Sequence, residues 1–350
     1  MTPSNPFIVL ASLLTLVSPP AEPLPGTAPR LRPAWELDLG DARGAALRGC
    51  ARVGDRVLVT DQAGGVTALD PRTGAMQWFV QAPGPLRFRP SDGGAIALAS
   101  GSTVIAVDGA TGRRLLDVTS ASVPGVSPCS DGQRLYVPAC LDDTLVAWDL
   151  RSGHKSWEFR MPAPFVGVSL VCGAEGSRSV LVCTADDWLR AIPAQADVPP
   201  GERWSLRIGR VAGAPALGGG RVYVSTFDRT IVALDEASGT VLWKQFPGQV
   251  PRVAPVLVGE HLAVQTTSGL LLLSAATGVI EWELEGGGAP IGEVGGELLL
   301  QHTEGPAEWR EIATGRLLAD DLPHAAAACG SRLIELKSSA SVAAWERAER

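Results

Sequence analysis

The chain of 350 residues is 45% hydrophobic and carries a formal net charge of −7, with 40 Gly, 27 Pro and 10 Trp. The acidic balance and the lack of any Lys/Arg-rich run exclude a general nucleic-acid binder. Trp outnumbers Phe (7) and Tyr (2) together, a skew expected when one large ring serves each structural unit.

Residues 7–17 (F-I-V-L-A-S-L-L-T-L-V) form the one long apolar run at the N-terminus. That length suits a signal-peptide core and is too short to span a bilayer. Residues 1–18 are therefore read as a signal peptide, although residues 1–6 lack Lys and Arg. No Cys follows the run closely, so a lipid-attachment signal is not supported. The mature chain is expected in the periplasm or outside the cell, with no transmembrane span. Residues 18–33 hold six prolines; 19–33 read as an extended linker, and 34–350 as one repeat domain.

Within that domain an eleven-residue pattern recurs in phase. Residues 68–78 read A-L-D-P-R-T-G-A-M-Q-W, residues 147–157 A-W-D-L-R-S-G-H-K-S-W, and residues 233–243 A-L-D-E-A-S-G-T-V-L-W. Looser copies stand at 106–116, 272–282 (with Gly278 and Trp282) and 309–319. Repetition at about 40 residues is the signature of a repeat architecture. Asp70, Asp149 and Asp235 end one strand, where a short carboxylate accepts backbone N–H bonds of a turn. Gly74, Gly153 and Gly239 supply the positive φ that the turn needs. Trp78, Trp157 and Trp243 follow on the next strand, where a large face can cover a neighbouring unit.

A second signal alternates with the first. Eight apolar strands, from residues 56–59 (R-V-L-V) to 332–336 (R-L-I-E-L), each follow a Gly-containing turn, and a small-residue strand lies ahead of each turn. One unit is thus four antiparallel strands. Eight such units around an axis make an all-β, eight-bladed β-propeller. Trp35 in P-A-W-E-L-D-L stands as the outer strand of a unit whose other strands lie in 324–350, so the N-terminal segment is expected to close the ring. Two blades depart. The fourth lacks the S/T-G turn and should carry a protruding loop at 193–202; in the seventh, Trp309 is out of place and Ala319 stands where Trp belongs.

The A-x-D-x-x-[S/T]-G-x-x-x-W repeat resembles the tryptophan-docking motif of the pyrroloquinoline-quinone (PQQ) type propellers. Length, blade number and split closure blade resemble the BamB type of that family, the small propellers of outer-membrane-protein assembly. The resemblance implies an envelope scaffold with protein partners, expected to be a monomer without cofactor. It also implies a partner loop containing Ser-Leu-Arg, matched here by Ser205, Leu206 and Arg207 in W-S-L-R-I-G-R. Leu206 and Arg207 are the candidate partner-binding residues; ordinary strand packing is the alternative. The family's dehydrogenases use adjacent cysteines, a Ca²⁺ site and long inserted loops. Here no two cysteines are adjacent and Asn5 is the sole asparagine. An oxidoreductase, or a sensor propeller binding a small ligand or polysaccharide, is the alternative function.

The six cysteines show no metal-site spacing. Cys129 with Cys140, and Cys172 with Cys183, each flank one hairpin and are candidate disulfides, with buried free thiols the alternative. His154, His261, His302 and His324 are scattered over different blades. Asp142, Asp143, Asp186, Asp187 and Asp228 fall at the turns between second and third strands and lack a Ca²⁺-loop pattern. No nucleophile motif, phosphate loop or acid/base pair is visible.

Overall fold

A computed structural model describes residues 31–39, 46–88, 94–120, 126–172, 179–194, 201–302, 305–322, 325–329 and 331–347. The proposed signal peptide and most of the linker lie outside these residues. The described residues fold as eight four-stranded antiparallel sheets in a ring, an eight-bladed β-propeller. Blade one runs Leu47–Val53, Arg56–Asp61, Gly65–Leu69, Met76–Gln81, and the later blades repeat this order outward.

The last blade is built from both ends of the chain. Its order from the axis is Ala325–Cys329, Arg332–Leu336, Ser341–Arg347 and then Leu31–Asp38. Trp35 lies opposite Ala344, and Asp38 opposite Ser341, in an antiparallel ladder. Leu31, Arg32 and Pro33, read from sequence as linker, already belong to this strand.

Alternation along each strand explains why the second and third strands look apolar throughout. Successive side chains point to opposite faces of a sheet, and here both faces meet a neighbouring blade. Leu58, Val66 and Ala68 of blade one pack on Ile96, Leu98 and Ile105 of blade two. Val57, Val59 and Leu69 of the same strands pack on Ile334, Val342 and Ala344 of blade eight. A sheet covered on both faces needs continuous hydrophobic strands rather than an alternating pattern.

Among the described residues a Trp on the outer strand joins five of the blades to the next by its indole N–H. It sits opposite a small residue on the adjoining strand: Ala68 for Trp78, Ala147 for Trp157, Ala233 for Trp243. Its indole N–H then reaches the turn of the following blade. Trp35 donates to the Pro71 carbonyl at 2.9 Å, Trp78 to Gly109 at 3.1 Å and Trp204 to Glu236 at 3.0 Å. Trp243 donates to Ala275 at 3.0 Å and Trp282 to Ile312 at 2.7 Å. Where an Asp opens the turn, its carboxylate orders it. Asp70 Oδ1 accepts from the Arg72 and Thr73 amides at 2.6 and 3.1 Å, and Asp149 Oδ1 from Arg151 and Ser152 at 3.1 and 2.7 Å. Hydrogen bonds from Ser152 hold the Asp149 carboxyl below its ordinary range, and those from Ser238 do the same for Asp235.

The network is incomplete at three junctions: blade two carries Leu116 at the Trp position, opposite Ala106, and the two irregular blades account for the others. Trp157 faces the blade that lacks the turn; its buried indole N–H has no acceptor, and its ring tilts on Tyr136 at 5.9 Å. In blade seven the pair is reversed, with fully buried Trp309 on the third strand opposite Ala319 on the fourth. The Trp309 indole N–H is also unpartnered. A buried donor of this kind costs about 1–3 kcal/mol. The middle of the blade-four loop, residues 195–200, lies outside the described residues.

The expected disulfides are not formed as paired from sequence. Cys140 and Cys183 carry free thiols, while Cys129 is disulfide-bonded. The reason is register. Cys129 lies opposite Tyr136, and Cys140 falls beyond the end of that strand at Ala139. Flanking one hairpin in sequence therefore does not bring these two sulfurs together.

Gly278 tests the contact between Trp and turn. It has φ of +74°, and a Cβ there would lie 2.5 Å from the Trp243 ring. Gly54 has φ of +58° with nothing within 4 Å. Gly54→Ala should cost only the left-handed penalty of about 1–2 kcal/mol, whereas Gly278→Ala should cost roughly 1–3 kcal/mol more through overpacking. Urea unfolding of the two variants measures the difference.

Candidate functional site

Antiparallel order divides the connections between the two faces of the disc. The turns joining first to second and third to fourth strands lie on one face. The turns joining second to third strands, and the links between blades, lie on the other. Asp142, Asp143, Asp186, Asp187 and Asp228 stand on this second face, at the second-to-third turns of blades three, four and five. Asp143, Asp187 and Arg229 adopt positive φ (51°, 69° and 65°) in those turns, where blade one uses Gly64. Non-glycine residues held in this region mark places to search for function.

The W-S-L-R stretch lies in a strand, not in a connection. Trp204–Arg207 is the outer strand of blade four, and Leu206 lies opposite Leu189. Leu206 is half-buried and packs against the cluster of Leu189, Val222 and Val232 between blades four and five. Arg207 is exposed. The connection begins at Ile208, whose amide donates to the Asp187 carbonyl at 3.0 Å, as does that of Gly209 at 3.2 Å. The Phe227 amide donates to the Arg210 carbonyl at 2.9 Å, so the connection is tied to the turns of both blades.

These ties frame a cleft of about 490 Å³ lined by Asp187, Trp188, Gly209, Arg210, Val211 and Phe227, among others. Phe227 is 45% exposed, and the Arg210 guanidinium stands over its ring at 5.4 Å. Sequence reading missed this pair, because the residues belong to different segments; the signal was the second Arg of W-S-L-R-I-G-R. Behind the cleft, buried Arg190 donates from Nη2 to Asp186 at 2.6 Å and from Nε to Glu202 at 2.8 Å. It also bonds Thr184 and lies 5.6 Å from the Trp188 ring centre. Two further large apolar side chains project from the same face: Leu141 (79% exposed) on blade three and Phe246 (63%) after blade five.

The remaining candidates do not converge. His154 is exposed, His261 pairs with Glu281 at 2.8 Å, and His302 lies 3.4 Å from Glu308. His324 lies outside the described residues. Among the described residues no three His, Cys, Asp or Glu side chains are grouped as metal ligands. With no adjacent cysteines and Asn5 as the sole asparagine, the donor set does not fit a quinone with its Ca²⁺.

The cleft's support has an acid signature. The hydrogen bond from Arg190 lowers the Asp186 carboxyl from 3.8 to about 2. A depressed folded-state value contributes stability above the unfolded value that is lost as pH falls through the folded one. Asp186→Asn should therefore be less stable than the parent at pH 6, and the gap should close between about pH 4 and pH 2. Urea midpoints measured across that range check it.

A family model described as outer membrane protein assembly factor BamB matches residues 32–121 and 100–319. The outer membrane protein assembly factor BamB of Burkholderia pseudomallei (strain K96243) is 28% identical over 207 residues, covering 55% of this chain and 54% of that protein. A polyvinylalcohol dehydrogenase of a Pseudomonas species is 28% identical over 186 residues, covering 41% of this chain and 28% of that protein. The matched stretch thus spans about half or less of these curated relatives. The crystal structure of BamB from Moraxella catarrhalis superposes with a TM-score of 0.68 at 16% identity, covering 91% of this chain and all (100%) of that one. A computationally designed protein, Ika8, superposes at 0.62 with 14% identity over 86% of this chain and 96% of its own. These two likenesses concern the fold, whereas the family model reaches from blade eight's outer strand to blade seven, and by it the chain belongs to the PQQ-like repeat family described as outer membrane protein assembly factor BamB.

Proposed function

We propose that the protein is a non-enzymatic interaction scaffold of the cell envelope, exported to the periplasm, with a BamB-like part in outer-membrane-protein assembly. The partner is a protein, docked on the face that carries the second-to-third turns of blades three to five. The observation that carries this reading is the exposed Arg210–Phe227 pair at the mouth of the cleft between blades four and five. Arginine and aromatic side chains dominate the energetics of protein interfaces. Leu141 and Phe246 extend the apolar surface on either side. Arg207 adds a cation at the rim, and Leu206 supports the cleft from beneath rather than touching the partner. Family membership supports the reading, since the matching model describes an assembly factor.

A second reading, a quinone-dependent oxidoreductase, draws on the partial likeness to polyvinylalcohol dehydrogenase. Quinone absorbance and alcohol oxidation after addition of PQQ and Ca²⁺ would favour it over the scaffold.

The scaffold reading is tested by capture from solubilised envelope, with the full-length chain as bait. Phe227→Ser combined with Arg210→Glu should lower recovery of the membrane partner at least about tenfold, the scale of a lost interface anchor. Val279→Ser, on the opposite face, removes an exposed apolar residue and should leave recovery unchanged. Equal recovery by the double variant, or equal loss by both, would remove this face from the account.

A further inference from the structure

The seam where the ring closes carries a cationic cleft. Blade eight supplies Arg332, which opens its second strand, and Ser331 just before it. Blade one supplies Arg52 from its first strand and Arg72 from the turn before its fourth. With Asp55, Pro71 and Cys329 they line a space of about 370 Å³ on the face of the Trp-bearing turns. Three guanidiniums thus share one cleft in a chain whose net charge is −7.

Two of the three are uncommitted. Arg332 is held in place: Nη1 donates to the Pro71 carbonyl at 3.1 Å and Nη2 to Glu346 at 2.8 Å. Its Nε is buried without a partner. Glu346 is shared with Arg32 at 2.9 Å, and Asp55 pairs with Arg56 at 2.6 Å, so both carboxylates are occupied. Arg52 donates from Nε to the Gly54 carbonyl at 2.9 Å. Neither Arg52 nor Arg72 forms an ion pair among the described residues. These charges are felt inside the cleft: burial raises the Cys329 thiol, while Arg52 and Arg332 lower it against Asp55 and Asp70.

The junction of blades five and six has the same framework without the charge. There Arg221 takes the place of Arg332 and donates to the Ala275 carbonyl at 3.3 Å. Ala276 stands at the turn position of Arg72. Leu257, opposite Leu262, stands at the strand position of Arg52, opposite Val57. Leu257 lies against Gly218, the counterpart of Cys329. An apolar side chain therefore satisfies the packing at this position, and packing alone does not account for two arginines at the seam.

We propose that the seam cleft binds a phosphomonoester, whose phosphoryl group is held by Arg52, Arg72 and Arg332 with the Ser331 hydroxyl as a further donor, bridging blade one to blade eight. Guanidinium is a planar fork that meets phosphate oxygens in pairs. A dianion balances the two unpaired cations. The volume lies at the small end for ligand pockets, which suits phosphate on a short alcohol rather than a nucleotide. The cleft is on the face opposite the proposed docking face, so it stands independently of the partner reading.

The probes are inorganic phosphate and glycerol phosphate, titrated calorimetrically into the full chain at about pH 8, where phosphate is largely the dianion, and at matched ionic strength. Arg52→Gln/Arg72→Gln should weaken binding at least about tenfold, the scale of lost charge-assisted hydrogen bonds. Arg151→Gln, at the same turn position of blade three, should leave it unchanged. In the parent chain the bound probe should slow iodoacetamide alkylation of the free thiol of Cys329 and not of Cys140 or Cys183, so a variant that fails to fold does not shield the proposal. Phosphatidylcholine vesicles with and without phosphatidic acid identify the source. Cosedimentation that needs phosphatidic acid and is lost in the double variant makes the group a lipid headgroup; binding of the soluble probes without it makes the ligand a free phosphomonoester. Failure of both forms to bind would overturn the proposal, as would equal binding of citrate, binding unchanged in the double variant, or Cys329 alkylated at the same rate with the probe bound.

Discussion

The fold depends on one contact made again and again: an indole N–H given to a carbonyl in the next blade's turn, with the ring laid flat on that turn's glycine. Trp78 on Gly109 and Gly112, and Trp243 on Ala275 and Gly278, are typical. No blade can make this contact alone, because donor and acceptor lie in different sheets. The strand-level packing has the same property, since each sheet buries both faces against neighbours. Cooperation must therefore pass around the whole ring. At the seam itself the contact is made by Trp35, from the N-terminal strand, which reaches Pro71 of blade one.

Such a frame frees one face for other uses. The Trp-bearing turns must keep Asp and Gly in register, so their face is constrained in every regular blade. The opposite face carries turns and links that take no part in that contact. Its residues vary from blade to blade, and three of its turns hold non-glycine residues at positive φ. The Arg210–Phe227 pair and the buried Arg190 network lie there, beside the blade whose own turn departs from the pattern. A stiff disc of this kind places side chains of separate blades at set distances, as a docking surface requires.

Much of the architecture could be read before any coordinates. The period, the Asp and Gly of each turn and the alternating small and large strands specified four-stranded blades, and Trp35 specified the closure. Other features depended on register, which a single sequence carries weakly. Trp309 looked displaced until its pairing with Ala319 showed the large and small residues exchanged across two strands. Cys129 and Cys140 looked like a hairpin pair, but their positions are not opposite one another. Leu206 looked like loop because no turn residue precedes Gly209 to mark the strand's end; the ladder continues to Arg207. The cleft was not legible at all, since Asp187, Arg210 and Phe227 meet only when blades four and five stack.

The account's central claim is that the strand Leu31–Asp38 closes the circuit. Native-state hydrogen exchange measures this directly. Backbone amides of that strand that pair with Ser341–Arg347 should exchange only through global unfolding, with the same free energy as amides of central strands such as Arg221–Thr226. Release of the seam strand's amides at a free energy several kcal/mol lower, with the other blades still protected, would mean that the ring stands without its clasp and would contradict the account.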